Sequence, residues 1–161
     1  MQPQWQILIA AAIIIIGKLL MPKTIDFAKD TRERYERYRP DIIHASFSMR
    51  VPTYVLFRVA LIESRFRPDA RGASGELGMF QIMPANISRY YGFSFWIESD
   101  VMSVGENSLI AAWILRSELD AFDGNIEKAV RAYNVGRSNV GSSAADRYWD
   151  LFVAAGEHFP V

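Results

Sequence analysis

Apolar residues at helical spacing, divided by proline and glycine, are the feature that most restricts how this chain can fold. Pro52 suits the first turn of a helix, and the apolar residues after it recur at helical spacing until Arg67 and Pro68 end the pattern. A second helix is predicted from about Glu106 to Phe122, because Gly124 follows it as a C-terminal signal. The chain is therefore expected to build its core from helices.

Two further patterns support a mainly α fold. Asn125 is a good N-cap for a third helix that runs to about Tyr133. Between the first and second helices, Gly72, Gly75 and Gly78 lie in a short stretch that predicts a loop or small β-hairpin. Only this Gly-rich stretch could hold strand.

Composition excludes several classes of function. The formal net charge is zero, so the chain lacks the basic excess typical of nucleic-acid binding. It contains no cysteine, which excludes disulfides, thiolate catalysis and cysteine-based zinc sites. His44 and His158 lie far apart and form no metal-ligand spacing, so neither a metal nor any other cofactor is expected.

The N-terminal segment is strongly hydrophobic. Ile7 to Ile16 is unbroken apolar sequence, and the apolar span extends from Trp5 to Met21 if Lys18 reaches the interface. That span is close to the roughly 17 residues needed to cross a bilayer. A cleaved signal peptide or a buried core helix are the alternatives, but residues 1–6 carry no basic side chain and no small-residue cleavage site follows. We expect residues 1–22 to be an uncleaved transmembrane anchor that contacts lipid through residues 5–21.

Residues 23–41 are densely charged with mixed signs and contain Tyr35 and Tyr38. Two interpretations fit this composition: a stalk that lifts the domain off the membrane, or a first helix packed on the domain by its two tyrosines. Residues 42–161 are predicted to form the catalytic domain.

Glu63 is the candidate catalytic residue of the first predicted helix. On a helical wheel it falls within an apolar sector, while Arg58 and Arg65 lie nearly opposite. The sector comprises Leu56, Val59, Ala60 and Phe66. Desolvation disfavours a carboxylate, so the pKa of Glu63 should rise toward the range of a proton donor near neutral pH. A buried glutamate satisfied by tertiary hydrogen bonds, or a helix end open to solvent, would show the same pattern.

Three ordered motifs carry a family resemblance. Residues 60–66 (ALIESRF), 75–84 (GELGMFQIMP) and 132–136 (AYNVG) resemble the A-x-x-E-S-x-F, G-A-x-G-L-M-Q-x-M-P and A-Y-N-x-G elements of the soluble lytic transglycosylase (SLT) family. Asn107 is similar to the residue that leads the helix between the last two motifs. The resemblance covers roughly residues 45–150.

The resemblance implies a goose-type lysozyme-like helical domain whose groove binds the glycan strands of peptidoglycan. It implies that Glu63 is the only catalytic carboxylate. Glu63 would protonate the glycosidic oxygen and then accept the proton of the C6 hydroxyl of N-acetylmuramic acid, which leaves a 1,6-anhydro sugar. Asp69 and Glu76, the nearby acids, are expected to be solvated loop residues.

The resemblance also supplies substrate-binding candidates: Ser64, Ser74, Phe80, Gln81, Met83, Tyr133 and Asn134. Phe80 and Met83 would line the groove, although core packing is an alternative for Phe80. Tyr133 would place its hydroxyl near Glu63, and Asn134 would brace the same element. Two positions depart from the family pattern: Gly72 stands where a serine is usual, and Glu76 replaces an alanine.

Two other functions compete with the lytic transglycosylase. One is a hydrolytic lysozyme on the same fold, which would need a positioned second carboxylate such as Asp69 or Glu76. The other is a non-catalytic, membrane-tethered peptidoglycan-binding or assembly protein, which would have no need of a desolvated acid.

Membrane orientation conflicts with the expected substrate. The Lys and Arg residues near the apolar segment all follow it, and the positive-inside rule then places the domain in the cytoplasm. The substrate lies in the periplasm or at the cell wall. Delivery by a membrane-containing phage particle or by a secretion machine would resolve the conflict, and either would supply protein partners.

Overall fold

The computed structural model describes residues 28–92 and 94–161. Seven α-helices lie in these residues: α1 (Lys29–Met49), α2 (Thr53–Ser64), α3 (Pro84–Tyr90), α4 (Glu98–Val101), α5 (Val104–Ala121), α6 (Ile126–Val135) and α7 (Ser143–Ala154). Two 3₁₀ turns, Arg137–Asn139 and Ala155–Glu157, follow α6 and α7. The mainly α class predicted from sequence is confirmed.

The Gly-rich stretch is a loop. Its only β pairing in the described part of the chain consists of isolated bridges from Leu77 to Arg71 and to Ile82, so the hairpin alternative is wrong. The bridges do not extend into a ladder, because Gly75 and Gly78 have positive φ and turn the backbone on either side of Leu77.

The predicted anchor at residues 1–22 lies outside the described residues. Among the helices at residues 28–92 and 94–161, none combines the length and apolarity that crossing a bilayer requires.

Helix α1 is part of the domain. The boundary expected between residues 41 and 42 falls inside this continuous helix. Its Tyr35 ring packs against Phe57, Phe66 and Phe159, with centroid separations of 5.1, 5.6 and 5.0 Å. Residues 29–41 are therefore the first part of a packed helix, because burying this aromatic cluster holds them on the domain.

Helix α2 is the central element of the core. Its apolar sector is fully buried, as expected, but Arg58 on the opposite side is buried too. The Arg58 Nε donates to the Phe159 carbonyl at 2.9 Å, and the guanidinium stacks over the Tyr54 and Phe152 rings. The arginine can be buried because these tertiary partners satisfy its guanidinium, so both sides of α2 contribute to the core.

Two predicted helices are observed close to their expected bounds. In α6, the Asn125 side chain accepts a hydrogen bond from the Lys128 N–H and caps the first turn as predicted. Helix α5 begins two residues before the expected Glu106, because the Ser103 hydroxyl is its cap. Sequence reasoning missed α3, α4 and α7, of which α7 has a consequence for the site.

Candidate active site

Glu63 lies at the end of α2, where the helix meets a groove. The chain turns sharply after it: Arg65 and Phe66 both have positive φ, and the Phe66 N–H bonds back to the Ala60 carbonyl. This turn sends the Phe66 ring into the core and leaves Glu63 at the groove wall. The groove has a volume of about 460 Å³ and is bounded by the Gly-rich loop on one side and α6 on the other.

The environment of Glu63 favours its protonated form. The pKa of Glu63 is raised to about 7: burial raises it most, the hydrogen bond from Tyr148 lowers it, and the negative charge of Glu76 makes the smallest contribution, which also raises it. The Tyr148 hydroxyl donates to Glu63 Oε1 at 2.6 Å. The pKa elevation expected from the helical wheel is therefore present, with burial as its main cause.

The Gly-rich loop is held by side chains from three helices. Ser64 at the end of α2 donates its hydroxyl to the Met79 carbonyl at 2.7 Å. Tyr133 of α6 donates to the Phe80 carbonyl at 2.8 Å. Asn107 of α5 accepts from the Phe80 N–H at 2.9 Å. These bonds connect three distant parts of the sequence and fix the loop beside Glu63.

Asn107 also explains one glycine of the loop. Its amide nitrogen donates to the carbonyls of Leu77 and Val101, at 3.1 Å each, and the side chain is fully buried. Gly78 has φ +76°, and a Cβ there would lie 2.4 Å from that nitrogen. Gly78 is therefore required both by its backbone conformation and by the close approach of Asn107.

Five of the substrate-binding candidates line the groove. They are Ser74, Gln81, Met83, Tyr133 and Asn134. The Gln81 amide nitrogen donates to the Gly78 carbonyl at 2.8 Å, and the exposed Met83 side chain stands at the rim. Their contact with substrate remains a prediction.

Two candidates do not have the expected place. Phe80 has no exposed surface and belongs to the core, which is the alternative that the sequence left open for it. Ser64 is buried, and its hydroxyl is engaged by the Met79 carbonyl and by the Arg67 N–H. Ser64 thus connects α2 to the loop, whereas the backbone of Phe80 connects the loop to α5 and α6.

Tyr148 is the functional residue that sequence reasoning missed. Tyr133 lines the groove with Glu63, and burial together with the charge of Glu63 raises the pKa of Tyr133. Its hydroxyl, however, is bonded to the Phe80 carbonyl, and Tyr148 of α7 supplies the carboxyl's hydrogen bond. The helical spacing of Tyr148 and Phe152 after the Ser142 cap could have revealed α7. Nothing in that local pattern indicates which distant residue Tyr148 reaches.

A second depression continues the groove. It shares Met83, Asn86, Ile114, Tyr133 and Asn134 with the part beside Glu63 and adds Trp113. The two parts adjoin along these shared residues, so the groove extends from Glu63 toward Trp113. Within residues 28–92 and 94–161, no group of three or more His, Asp or Glu side chains is arranged to hold a metal ion.

Comparison with known protein families identifies the family of this chain. The family model for the transglycosylase SLT domain matches residues 40–152, which is more than half of the chain. The chain therefore belongs to the SLT transglycosylase domain family.

Solved structures share the fold. An inactive mutant of the lytic transglycosylase Slt from Pseudomonas aeruginosa superposes with a TM-score of 0.64 at 20% identity, covering 74% of this chain and 24% of that one. The 70-kDa soluble lytic transglycosylase of Escherichia coli gives a TM-score of 0.63 at 17% identity, covering 84% of this chain and 24% of its own. The chain thus spans about a quarter of the length of these proteins.

Proposed function

We propose that this chain is a peptidoglycan lytic transglycosylase. It cleaves the β-1,4 bond between N-acetylmuramic acid and N-acetylglucosamine and leaves a 1,6-anhydro-muramic acid end. The observation that carries the proposal is Glu63, a carboxyl with a pKa of about 7 at the wall of an elongated groove. Membership of the SLT domain family, and neighbours described as lytic transglycosylases, support the same reaction.

The first step needs a proton donor. Near neutral pH a substantial fraction of Glu63 is protonated, because burial raises its pKa to about 7. Tyr148 donates to Oε1, so the acid proton is carried by Oε2. Glu63 transfers this proton to the glycosidic oxygen as the bond to C1 of the muramic acid breaks. The substrate's own N-acetyl oxygen bonds to C1 and compensates its developing positive charge.

The second step returns the proton. The C6 hydroxyl oxygen of the same sugar attacks C1, its proton passes to the Glu63 carboxylate, and the N-acetyl group is released. Tyr148 stabilises the carboxylate between the two steps, since its hydrogen bond favours the charged form. Intramolecular attack has an entropic advantage over attack by free water.

Hydrolysis by a lysozyme mechanism is the second candidate, because Glu76 also lines the groove. A second carboxylate is the group that glycosidases use to activate water or attack C1. Mass spectrometry of muropeptides released from purified peptidoglycan separates the two reactions. The proposal predicts anhydro ends, each lighter by one water than the reducing ends that hydrolysis would produce.

The same digestion tests the catalytic residue. Glu63→Gln preserves the acceptor for Tyr148 but removes the proton, and should lower the rate at least ~100-fold. Glu157→Gln, at an exposed position in the last 3₁₀ turn, is the matched control and should retain full activity. Wild-type protein that binds peptidoglycan without releasing any product would favour the non-catalytic binding protein instead.

We also propose that the apolar N-terminal segment anchors the domain to a membrane. This rests on the sequence of residues 5–21 alone. The domain would then act at the periplasmic or cell-wall side, and carriage in a membrane-containing phage particle or a secretion machine fits the charge distribution around the segment. Electron microscopy of immunogold-labelled host cells and of purified particles tests this placement.

A further inference from the structure

The glycine at position 72 has no backbone reason to be a glycine. Its φ lies outside the left-handed region, in contrast to Gly75 and Gly78 of the same loop. A residue with a side chain could adopt this conformation. The reason for glycine here must therefore be sought in its neighbours.

The neighbour is the Glu76 carboxylate. A Cβ at position 72 would lie 2.0 Å from Glu76 Oε2 and 2.7 Å from its Cδ, far inside van der Waals contact. The Gln81 amide oxygen would also be 2.9 Å away. Any side chain at position 72 would consequently displace Glu76 from the place it occupies.

Glu76 is held in that place. Its Oε2 accepts a hydrogen bond from the Ser74 N–H at 2.9 Å, and the Gly72 N–H donates to the Glu76 carbonyl at 2.9 Å. The side chain is partly buried and lines the groove together with Glu63. Glu76 is thus a positioned carboxylate in the groove, which corrects the expectation of a solvated loop residue. Asp69, the other nearby acid, is exposed and does not line the groove.

We propose that Glu76 is a positioning residue of the active site: its carboxylate, accommodated by Gly72, acts electrostatically on Glu63 across the groove. The two departures from the family pattern, at positions 72 and 76, are then one coupled feature. A negative charge in the same groove disfavours ionisation of Glu63. It therefore keeps the acid protonated to higher pH than burial alone would. This inference rests on the proposed role of Glu63 as proton donor.

The first test isolates the charge. Glu76→Gln keeps the size of the side chain and an oxygen for the Ser74 N–H, so a purely structural role would survive it. The rate of peptidoglycan solubilisation by the full chain is measured at low substrate from pH 5 to 9. The alkaline limb of this pH–rate profile is the range in which activity falls as Glu63 loses its proton. It should move to lower pH by at least about 0.3 unit, because without the Glu76 charge the acid loses its proton at lower pH. Asp69→Asn is the matched control and should leave the limb in place. An unmoved limb in Glu76→Gln would overturn the proposal.

The second test examines the coupling to position 72. Gly72→Ser should push the carboxylate out of its place and move the limb in the same direction. In a double variant with Glu76→Ala, Gly72→Ser should shift the alkaline limb no further than Glu76→Ala alone, since no carboxylate remains to be displaced. Ala73→Ser, the adjacent change on the groove wall, controls for an added hydroxyl. Full additivity of the two substitutions would refute the coupling.

These outcomes are separable from failure of the proposed function. If wild-type protein releases no product from peptidoglycan, the proposed function fails and no limb exists to shift. If wild type is active and Glu63→Gln is not, the proposed function stands whatever Glu76→Gln shows. Only the position of the limb then decides the role of Glu76.

Discussion

Glu63 should make the protein less stable as the pH rises, and Glu63→Gln should remove that effect. The pKa of this carboxyl is about 7 in the folded chain, against 4.5 for an ordinary glutamate, with burial as the main cause. The folded state therefore binds the Glu63 proton more tightly than the unfolded state does. The stability that this provides is complete below about pH 4.5 and is lost as the pH rises through about 7.

The size of the effect follows from the shift. Each pKa unit corresponds to ~1.4 kcal/mol, so the difference between 4.5 and about 7 amounts to about 3 kcal/mol. Glutamine resembles the protonated acid in shape and can still accept from Tyr148. The variant and wild type should thus have similar free energies of unfolding at pH 4. At pH 8 the variant should be more stable by about 3 kcal/mol, which corresponds to roughly 10 °C in Tm for a domain of this size.

Urea unfolding at half-unit steps from pH 4 to 8.5 measures this difference directly. Glu157→Gln is the control, because its side chain is exposed at the surface. Its difference from wild type should not change with pH. The reasoning is refuted if the Glu63→Gln difference is flat across this range, or if it grows toward acid pH.

Three further predictions concern groups around this site and the N-terminal segment. Tyr148→Phe removes the hydrogen bond that lowers the pKa of Glu63, so the alkaline limb of the activity profile should move to higher pH. Tyr133→Phe removes a hydroxyl that donates to the Phe80 carbonyl and not to Glu63, so it should not move the limb to higher pH. Asn107→Ala removes three hydrogen bonds to buried backbone groups, of which the Leu77 carbonyl keeps another partner, the Ile82 N–H, and the change should cost ~2–4 kcal/mol in urea unfolding. Asn139→Ala, at an exposed position, should cost under ~1 kcal/mol, and a larger loss there would contradict the argument. Full-length chain should sediment with membranes and resist alkaline extraction, and deletion of residues 1–22 should release it. Recovery of intact chain in the soluble fraction would contradict the proposed membrane anchor.

Local sequence determines three of the helices, α2, α5 and α6, and the position of the acid on α2. The Pro52 start, the Asn125 cap and the Gly124 stop are properties of neighbouring residues, so they can be read without knowledge of the fold. The apolar sector around Glu63 likewise predicts a desolvated carboxyl, because burial of one helix face desolvates whatever lies on it. The motifs add the identity of the family, which the domain match confirms.

Only the tertiary structure decides which distant groups meet. Tyr148 reaches Glu63 across 85 positions of sequence, and the three bonds that fix the Gly-rich loop come from three helices. Local sequence also does not show whether a loop side chain faces the groove or the core. Phe80 is next to groove residues in sequence but lies wholly in the core, because successive loop residues point in different directions. The fit between Gly72 and Glu76 also cannot be predicted from the sequence alone. It depends on a distance of 2.0 Å between a Cβ position and a carboxylate oxygen, which exists only after the loop has closed on itself.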